Sequence, residues 1–260
     1  MKNSFLLVIL AIAVSFFSCK KSGDDAPAPV INPGQARIKT ISYLDSNDIV
    51  KAVNIYTYDN LGRVILIGSG QKPDPLQVRF TYNPASIIYS GFDVFNDLRT
   101  KIVYQINGNG LATEAIQENY GYKGDTTISL YKYNYDADGY MTSKSMNASN
   151  DPIPPYMLLK WQVDAGNRSS LELTYYGSPG GTEVYSYYLD KENTVDNVNF
   201  GLSFFGKSGR NMVSSISSNG IIVASFTYEF DALKRVIKSI RTGNSKLFPL
   251  SYTRIAYTYQ

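Results

Sequence analysis

Tyr56-Thr57-Tyr58-Asp59-Asn60-Leu61-Gly62-Arg63-Val64 is the stretch that decides the fold. Two aromatic residues alternate with a polar one, an aspartate follows, and a glycine stands three places later before a new apolar run. The physics is that of a β-hairpin. The aspartate side chain caps the turn by accepting a backbone N–H two residues on, and the position three after the aspartate needs a positive φ, which glycine adopts freely. The two tyrosines, two residues apart, share one face of a strand.

The stretch recurs along the chain. Tyr133 to Met141 and Tyr228 to Val236 repeat it closely, and Tyr104 to Leu111, Trp161 to Arg168 and Tyr187 to Thr194 repeat it more weakly, with Tyr82-Asn83 as a remnant. Gly or Asn fills the fourth position at Gly62, Gly110, Gly139, Asn167 and Asn193; Lys234 is the exception. It predicts either a strained left-handed lysine or a different loop. The intervals between Asn107, Asp136, Asp164 and Asp190 fit one hairpin and its return. The longer intervals before Asn107 and after Asp190 call for extra strands or an insertion. Units of this kind cannot bury a face singly and must share one antiparallel sheet. From about Ala36 onward the chain therefore reads as all-β, a single domain over 36–260 with roughly 14 to 18 strands, curled or partly open.

Composition removes most catalytic chemistry. The 260 residues include no His and one Cys, with 25 Lys+Arg against 22 Asp+Glu, 22 Tyr, 12 Phe and one Trp. Without imidazole there is no His-activated serine or cysteine and no His-ligated zinc. A net charge of +3 in mixed signs gives no footprint for nucleic acid. No cofactor is expected.

The N-terminus has its own logic. Lys2 precedes an apolar run from Phe5 to Phe17, too short to span a bilayer as a helix, and the run ends Val14-Ser15-Phe16-Phe17-Ser18-Cys19. This resembles a bacterial lipoprotein signal, with Phe16 standing where Leu is usual. Residues 1–18 are then the signal peptide and Cys19 is the lipidated first residue. Residues 19–35, polar and Pro-rich, form a disordered tether. The Lys/Ser/Asp-rich start of that tether resembles a surface-export tag, so an outer-membrane lipoprotein is expected, at the cell surface or otherwise facing the periplasm.

Two groups share the turn motifs. The Tyr-x-Tyr-Asp-x-x-Gly-Arg turn at 56–63 is similar to the YD repeat of Rhs-type shells. Over nearly the whole chain after the signal, the order of YD-like turns, the Trp161 to Asn167 element and the Phe204 to Asn211 element resemble a family of bacterial lipoproteins carrying a domain of unknown function with a porin-like fold. The resemblance implies a curled or partly closed antiparallel sheet tied to a membrane by lipid, and implies no activity. The strands carry charges and polar residues on both faces and the chain ends Tyr257-Thr258-Tyr259-Gln260. A membrane barrel shows an outward apolar band and usually ends in an aromatic residue, so the domain is not expected to span a bilayer.

Four motifs need weighing. Gly201-Leu202-Ser203-Phe204-Phe205-Gly206-Lys207-Ser208 matches the phosphate-loop pattern letter for letter, but lacks the preceding strand, following helix and small-residue loop that phosphate binding needs. The plainer reading is an insertion whose phenylalanines plug or cap the sheet. Asp136-Ala137-Asp138-Gly139 opens like a calcium loop, but Ser145 stands where the bidentate Glu belongs, and turn capping explains it better; Asp45-Ser46-Asn47-Asp48 is a small acidic cluster. Glu114, Glu118, Glu172 and Glu183 are the carboxylates from which a histidine-free glycosidase could be built, though no spacing pairs them. Asp125-Thr126-Thr127 resembles an O-glycosylation acceptor.

The aromatic excess is the one feature that suggests a ligand. Trp161, Tyr175, Tyr176 and Tyr187 are the candidate ligand-binding residues, since such rings stack on sugars, while cross-strand ladders account for aromatics of this pattern as well. The expected function is non-catalytic binding or scaffolding at the cell envelope. The partners are the membrane, through the lipid, and a glycan or surface protein. A glycan-binding module and a carboxylate hydrolase are the alternatives.

Overall fold

The computed structural model describes residues 36–70, 77–122, 124–148, 155–243 and 253–260. The signal 1–18, the tether 19–35 and Cys19 lie outside the described residues.

Sixteen antiparallel strands close into one barrel. In chain order they are β1 (Ile38–Leu44), β2 (Val50–Tyr58), β3 (Val64–Ser69), β4 (Gln77–Asn83), β5 (Ser86–Phe92), β6 (Leu98–Ile106), β7 (Ala112–Tyr120) and β8 (Thr126–Tyr135). The second half comprises β9 (Met141–Ala148), β10 (Met157–Asp164), β11 (Asn167–Tyr175), β12 (Ser178–Glu192), β13 (Asn211–Ser218), β14 (Ile221–Phe230), β15 (Val236–Thr242) and β16 (Arg254–Tyr259). Each strand pairs with its neighbours in sequence, and β1 pairs with β16 through Ile41 opposite Tyr257 and Tyr43 opposite Ile255.

That last pairing corrects the expected curled or partly open sheet. The first and last strands alternate in phase with each other, so each can satisfy the other's unpaired backbone edge while keeping its aromatic residues inward. Thr40 and Thr258 add a hydroxyl contact of 2.7 Å across the seam. Closure removes both edges at once.

The turn chemistry holds at most copies of the motif. Asp59 Oδ1 accepts the N–H groups of Leu61 and Arg63 at 3.0 and 2.9 Å, and Gly62 has φ 69°. Asn107, Asp136 and Asp231 cap their turns in the same way. At the opposite end of the barrel Asp45 and Asp93 do so too, so the acidic cluster at Asp45 is a turn. Lys234 is the strained alternative, left-handed at φ 61°.

Two copies differ from the expectation. Between β10 and β11 the positive-φ residues are Ala165 and Gly166, a two-residue turn, while Asn167 is already in the strand and buried. After β12 there is no hairpin: Asn193 caps the start of a long segment that returns at Arg210.

All even-numbered strands run out toward one end of the barrel, and most of the buried apolar residues cluster there. Ile38, Tyr56, Val64, Phe80, Tyr104, Tyr133 and Met141 belong to one buried cluster, with Tyr58, Tyr82, Tyr135, Trp161 and Tyr259 packed against it. The outward positions carry the charges, as in the pairs Lys132–Glu114 (3.7 Å), Lys238–Asp48 (2.9 Å) and Arg254–Asp48 (2.8 Å). Outward apolar residues such as Ile55, Ile116 and Leu130 stand between them.

The tyrosines have a repeated construction role. Tyr58, Tyr82, Tyr187, Tyr228 and Tyr259 donate their hydroxyls to the carbonyls of Ile38, Val64, Arg168, Val213 and Val236, at 2.6 to 2.9 Å. Every acceptor is a residue at which strand register shifts. A bulge takes a carbonyl off the ladder, and the hydroxyl of the tyrosine replaces the missing donor.

Candidate functional site

The segment from Asn193 to Arg210 crosses the end of the barrel and is stitched to its rim. Ile38 N donates to Asn199 O (3.1 Å), Val64 N to Gly201 O (3.4 Å), Lys207 N to Gly139 O (2.9 Å) and Arg210 N to Gly166 O (2.8 Å). Val236 N reaches Thr194 Oγ1 at 2.9 Å. From the N-terminal side Arg37 donates to the Val198 carbonyl, and Asn199 Nδ2 to Ala36 O at 2.9 Å. Burial pushes the Arg37 guanidinium below its ordinary pKa and the nearby Asp196 carboxyl above its own.

Here the phosphate-loop letters find their explanation. A Cβ on Gly201 would lie 2.6 Å from Val64 N, and one on Gly206 would lie 2.4 Å from Gly139 O. Both glycines have positive φ. They are the two places where the segment lies directly on rim turns. Between them a 3-10 turn, Ser203–Phe205, drives Phe204 and Phe205 into the barrel, with ring centroids 4.3 Å apart and 5.2 and 5.4 Å from Tyr104. The phenylalanines fill the space that a phosphate loop must leave open. A cleft of ≈ 440 Å³ remains outside this cap, between Lys207 and the turns carrying Asn109 and Asp138.

The second region is the inner wall from β8 to β12. Tyr131 and Tyr133 on β8, Lys144 on β9, Trp161 on β10, Arg168 on β11 and Tyr185 and Tyr187 on β12 alternate with outward, more exposed residues. The Lys144 ammonium lies 4.9 Å from the Tyr131 ring centroid, and the Arg168 guanidinium 4.9 Å from that of Trp161. Tyr131 donates to Gln117 Oε1 at 3.0 Å and Tyr185 to Glu183 Oε2 at 3.1 Å. Burial raises the Tyr187 pKa to about 12 and lowers those of Lys144 and Arg168. Most of these side chains are half-buried although they point inward. In a closed barrel such exposure is to internal space. The arrangement supplies aromatic faces, cations and hydroxyls.

The four aromatic residues named from the sequence divide into two places. Trp161 and Tyr187 belong to this wall. Tyr175 and Tyr176, 41% and 58% exposed, sit at the β11–β12 turn near the opposite end, where Tyr156 meets their rings at 6.1 and 4.9 Å. Of the four carboxylates, Glu183 points inward and is 1% exposed, while Glu114, Glu118 and Glu172 alternate to the outer face. The fold does not bring Glu183 together with the other three.

Lys144 and Arg168 escaped the sequence reading. Placing Asn167 in a turn hid the fact that Arg168 follows it at an inward strand position. Lys144 could have been found by counting alternation across the β8–β9 turn, since it lies opposite the buried Tyr133.

No protein-family model matches the chain, and no curated protein matches it in sequence. Among solved structures it is similar to a porin-like protein from Bacteroides uniformis ATCC 8492, at 13% identity and a TM-score of 0.60, over 86% of this chain and 98% of that one. It is also similar to a porin-like protein from Bacteroides vulgatus ATCC 8482, at 14% identity and a TM-score of 0.54, over 86% of this chain and 99% of that one. These likenesses are of fold, a porin-like barrel.

Proposed function

We propose that the chain is a non-catalytic binding barrel of the bacterial cell envelope, held to the outer membrane by a lipid on Cys19 and presented at the cell surface. Its barrel does not span the bilayer. The observation that carries this reading is the cap: a barrel whose end is crossed by the Asn193 to Arg210 segment and filled by Phe204 and Phe205 is a blind cup rather than a channel. The charged outer positions support it, because a spanning barrel needs an apolar outer band. So does the apolar run ending at Cys19.

Fractionation of cells making the wild type or Cys19→Ser tests the reading. The wild type should pellet with membranes, and the Cys19→Ser protein should be absent from pellets washed at alkaline pH. A Cys19→Ser protein that stays in the washed membrane would show that the barrel itself is inserted and would overturn the proposal.

A glycan is the ligand class favoured by the aromatic groups, both on the inner wall and at Tyr156, Tyr175 and Tyr176. Because Trp161 is the single tryptophan of the chain and lies on that wall, its fluorescence reports occupancy of the cup.

A further inference from the structure

Two cations stand on the inner wall, and among the described residues neither forms an ion pair. Lys144 and Arg168 occupy inward positions on β9 and β11, one on each side of the strand that carries Trp161. The Lys144 ammonium lies over the rings of Tyr131, at 4.9 Å, and Tyr133, at 5.8 Å. Arg168 lies over Trp161. Among the described residues no carboxylate reaches ion-pair distance of either. Arg63, Arg99 and Arg235, by contrast, each bind a turn aspartate at 2.6 to 2.7 Å.

A half-buried cation without a counter-charge is an unfavourable thing to build into a fold, and burial already weighs against the charged form of both. Rings compensate in part. The inward carboxylate of the neighbouring strand, Glu183, is 1% exposed and takes the Tyr185 hydroxyl. An incoming anion would supply what the wall lacks, and a planar guanidinium fits a carboxylate or sulfate with two parallel hydrogen bonds.

The surroundings narrow the ligand further. Trp161 offers a ring for stacking, and Tyr131 and Tyr185, whose protons are committed to Gln117 and Glu183, keep oxygen lone pairs to accept from hydroxyl groups. A simple inorganic anion would leave both features idle. We propose that this wall binds an acidic saccharide, its acid group drawn to the inward cations Lys144 and Arg168 and its ring set against Trp161. The inference rests on the binding reading above.

Titration of the full-length protein in detergent, read by Trp161 fluorescence, tests it with glucuronate, glucose and sodium sulfate as probes. Glucuronate should change the emission saturably and bind at least about tenfold more tightly than glucose or sulfate, the factor one charge-assisted contact supplies. Arg168→Gln and Lys144→Gln should each weaken glucuronate by about tenfold and so narrow its preference over glucose. Arg168→Gln keeps the backbone carbonyl that Tyr187 uses, and a melt alongside verifies the fold. Equal binding of glucuronate and glucose would overturn the acidic preference and leave the binding reading standing. Glucuronate binding that neither variant alters would overturn the assignment to this wall. No response to any saccharide would overturn the inference and the glycan reading together.

Discussion

The hydroxyl of Tyr58 donates to the carbonyl of Ile38 at 2.6 Å, and in doing so ties β2 to the bulged start of β1. That carbonyl stands at a register shift, and Tyr58→Phe removes its hydroxyl donor. The expected loss is about 1 to 2 kcal/mol in urea unfolding. Tyr82→Phe and Tyr259→Phe, which break the same contact to Val64 and Val236, should behave alike. An unchanged midpoint in all three would mean that solvent satisfies these carbonyls.

Gly206 and Gly220 share a φ of 76° but differ in what surrounds them: a Cβ on Gly206 meets Gly139 O at 2.4 Å, and one on Gly220 meets nothing within 4 Å. Gly220→Ala should therefore cost only the backbone strain, about 1 kcal/mol. Gly206→Ala also forces the cap off the β8–β9 turn and should cost roughly 3 kcal/mol. Equal losses in thermal melts of the two variants would refute the close approach of cap and rim.

Lys234 sits at φ 61° in a turn otherwise equivalent to the one in which Gly62 has φ 69°. Glycine at 234 relieves the left-handed strain at some entropic loss in the unfolded chain. Lys234→Gly should raise stability by about 0.5 to 1 kcal/mol. A lower denaturation midpoint would show that the lysine side chain contributes more than its backbone strain removes.

Local chemistry was legible in the sequence where it was self-contained. An aspartate or asparagine cap after an aromatic, polar, apolar or aromatic triplet specifies a hairpin without help from distant residues, so the turn at Asp59, like those at Asn107, Asp136 and Asp231, was legible locally. Asp164 was not, because Asn167 and Gly166 both tolerate positive φ, and strand pairing decides between them. Closure was illegible for a different reason. Whether β1 and β16 meet depends on the curvature accumulated over fourteen intervening strands, with their bulges, and no local pattern records that sum. The wall site shares the difficulty: that Lys144 and Arg168 both face inward emerges only after strand parity and neighbour order are known.

Phe204 is 3% exposed and Phe205 packs on Tyr104 and Tyr133 as well as on Phe204. Truncation of a buried ring removes its apolar area and leaves a cavity beneath the stitched segment. Phe204→Ala should cost about 3 to 4 kcal/mol, and Phe205→Ala, which is less buried, rather less. Unchanged melting of both variants would show that the phenylalanines merely line the barrel end.

The interior tyrosines make the barrel sensitive to alkali. Burial raises the Tyr187 pKa from 10.0 to about 12 and pushes Tyr56, Tyr58, Tyr82 and Tyr133 upward as well. A group whose pKa is raised by folding contributes its full stabilisation below the unfolded value of 10.0, since there both states hold the proton. Above it the unfolded chain releases protons that the folded chain keeps, so stability falls continuously as pH rises through the folded value. Urea midpoints should be flat below pH 10.0 with respect to these groups and drop steeply between there and about 12. Unfolding and the tyrosinate absorbance of the interior residues should then appear together, since hydroxyls held on bulge carbonyls cannot ionise while those contacts persist. A folded barrel whose tyrosines all titrate near pH 10.0 would refute the buried latch arrangement.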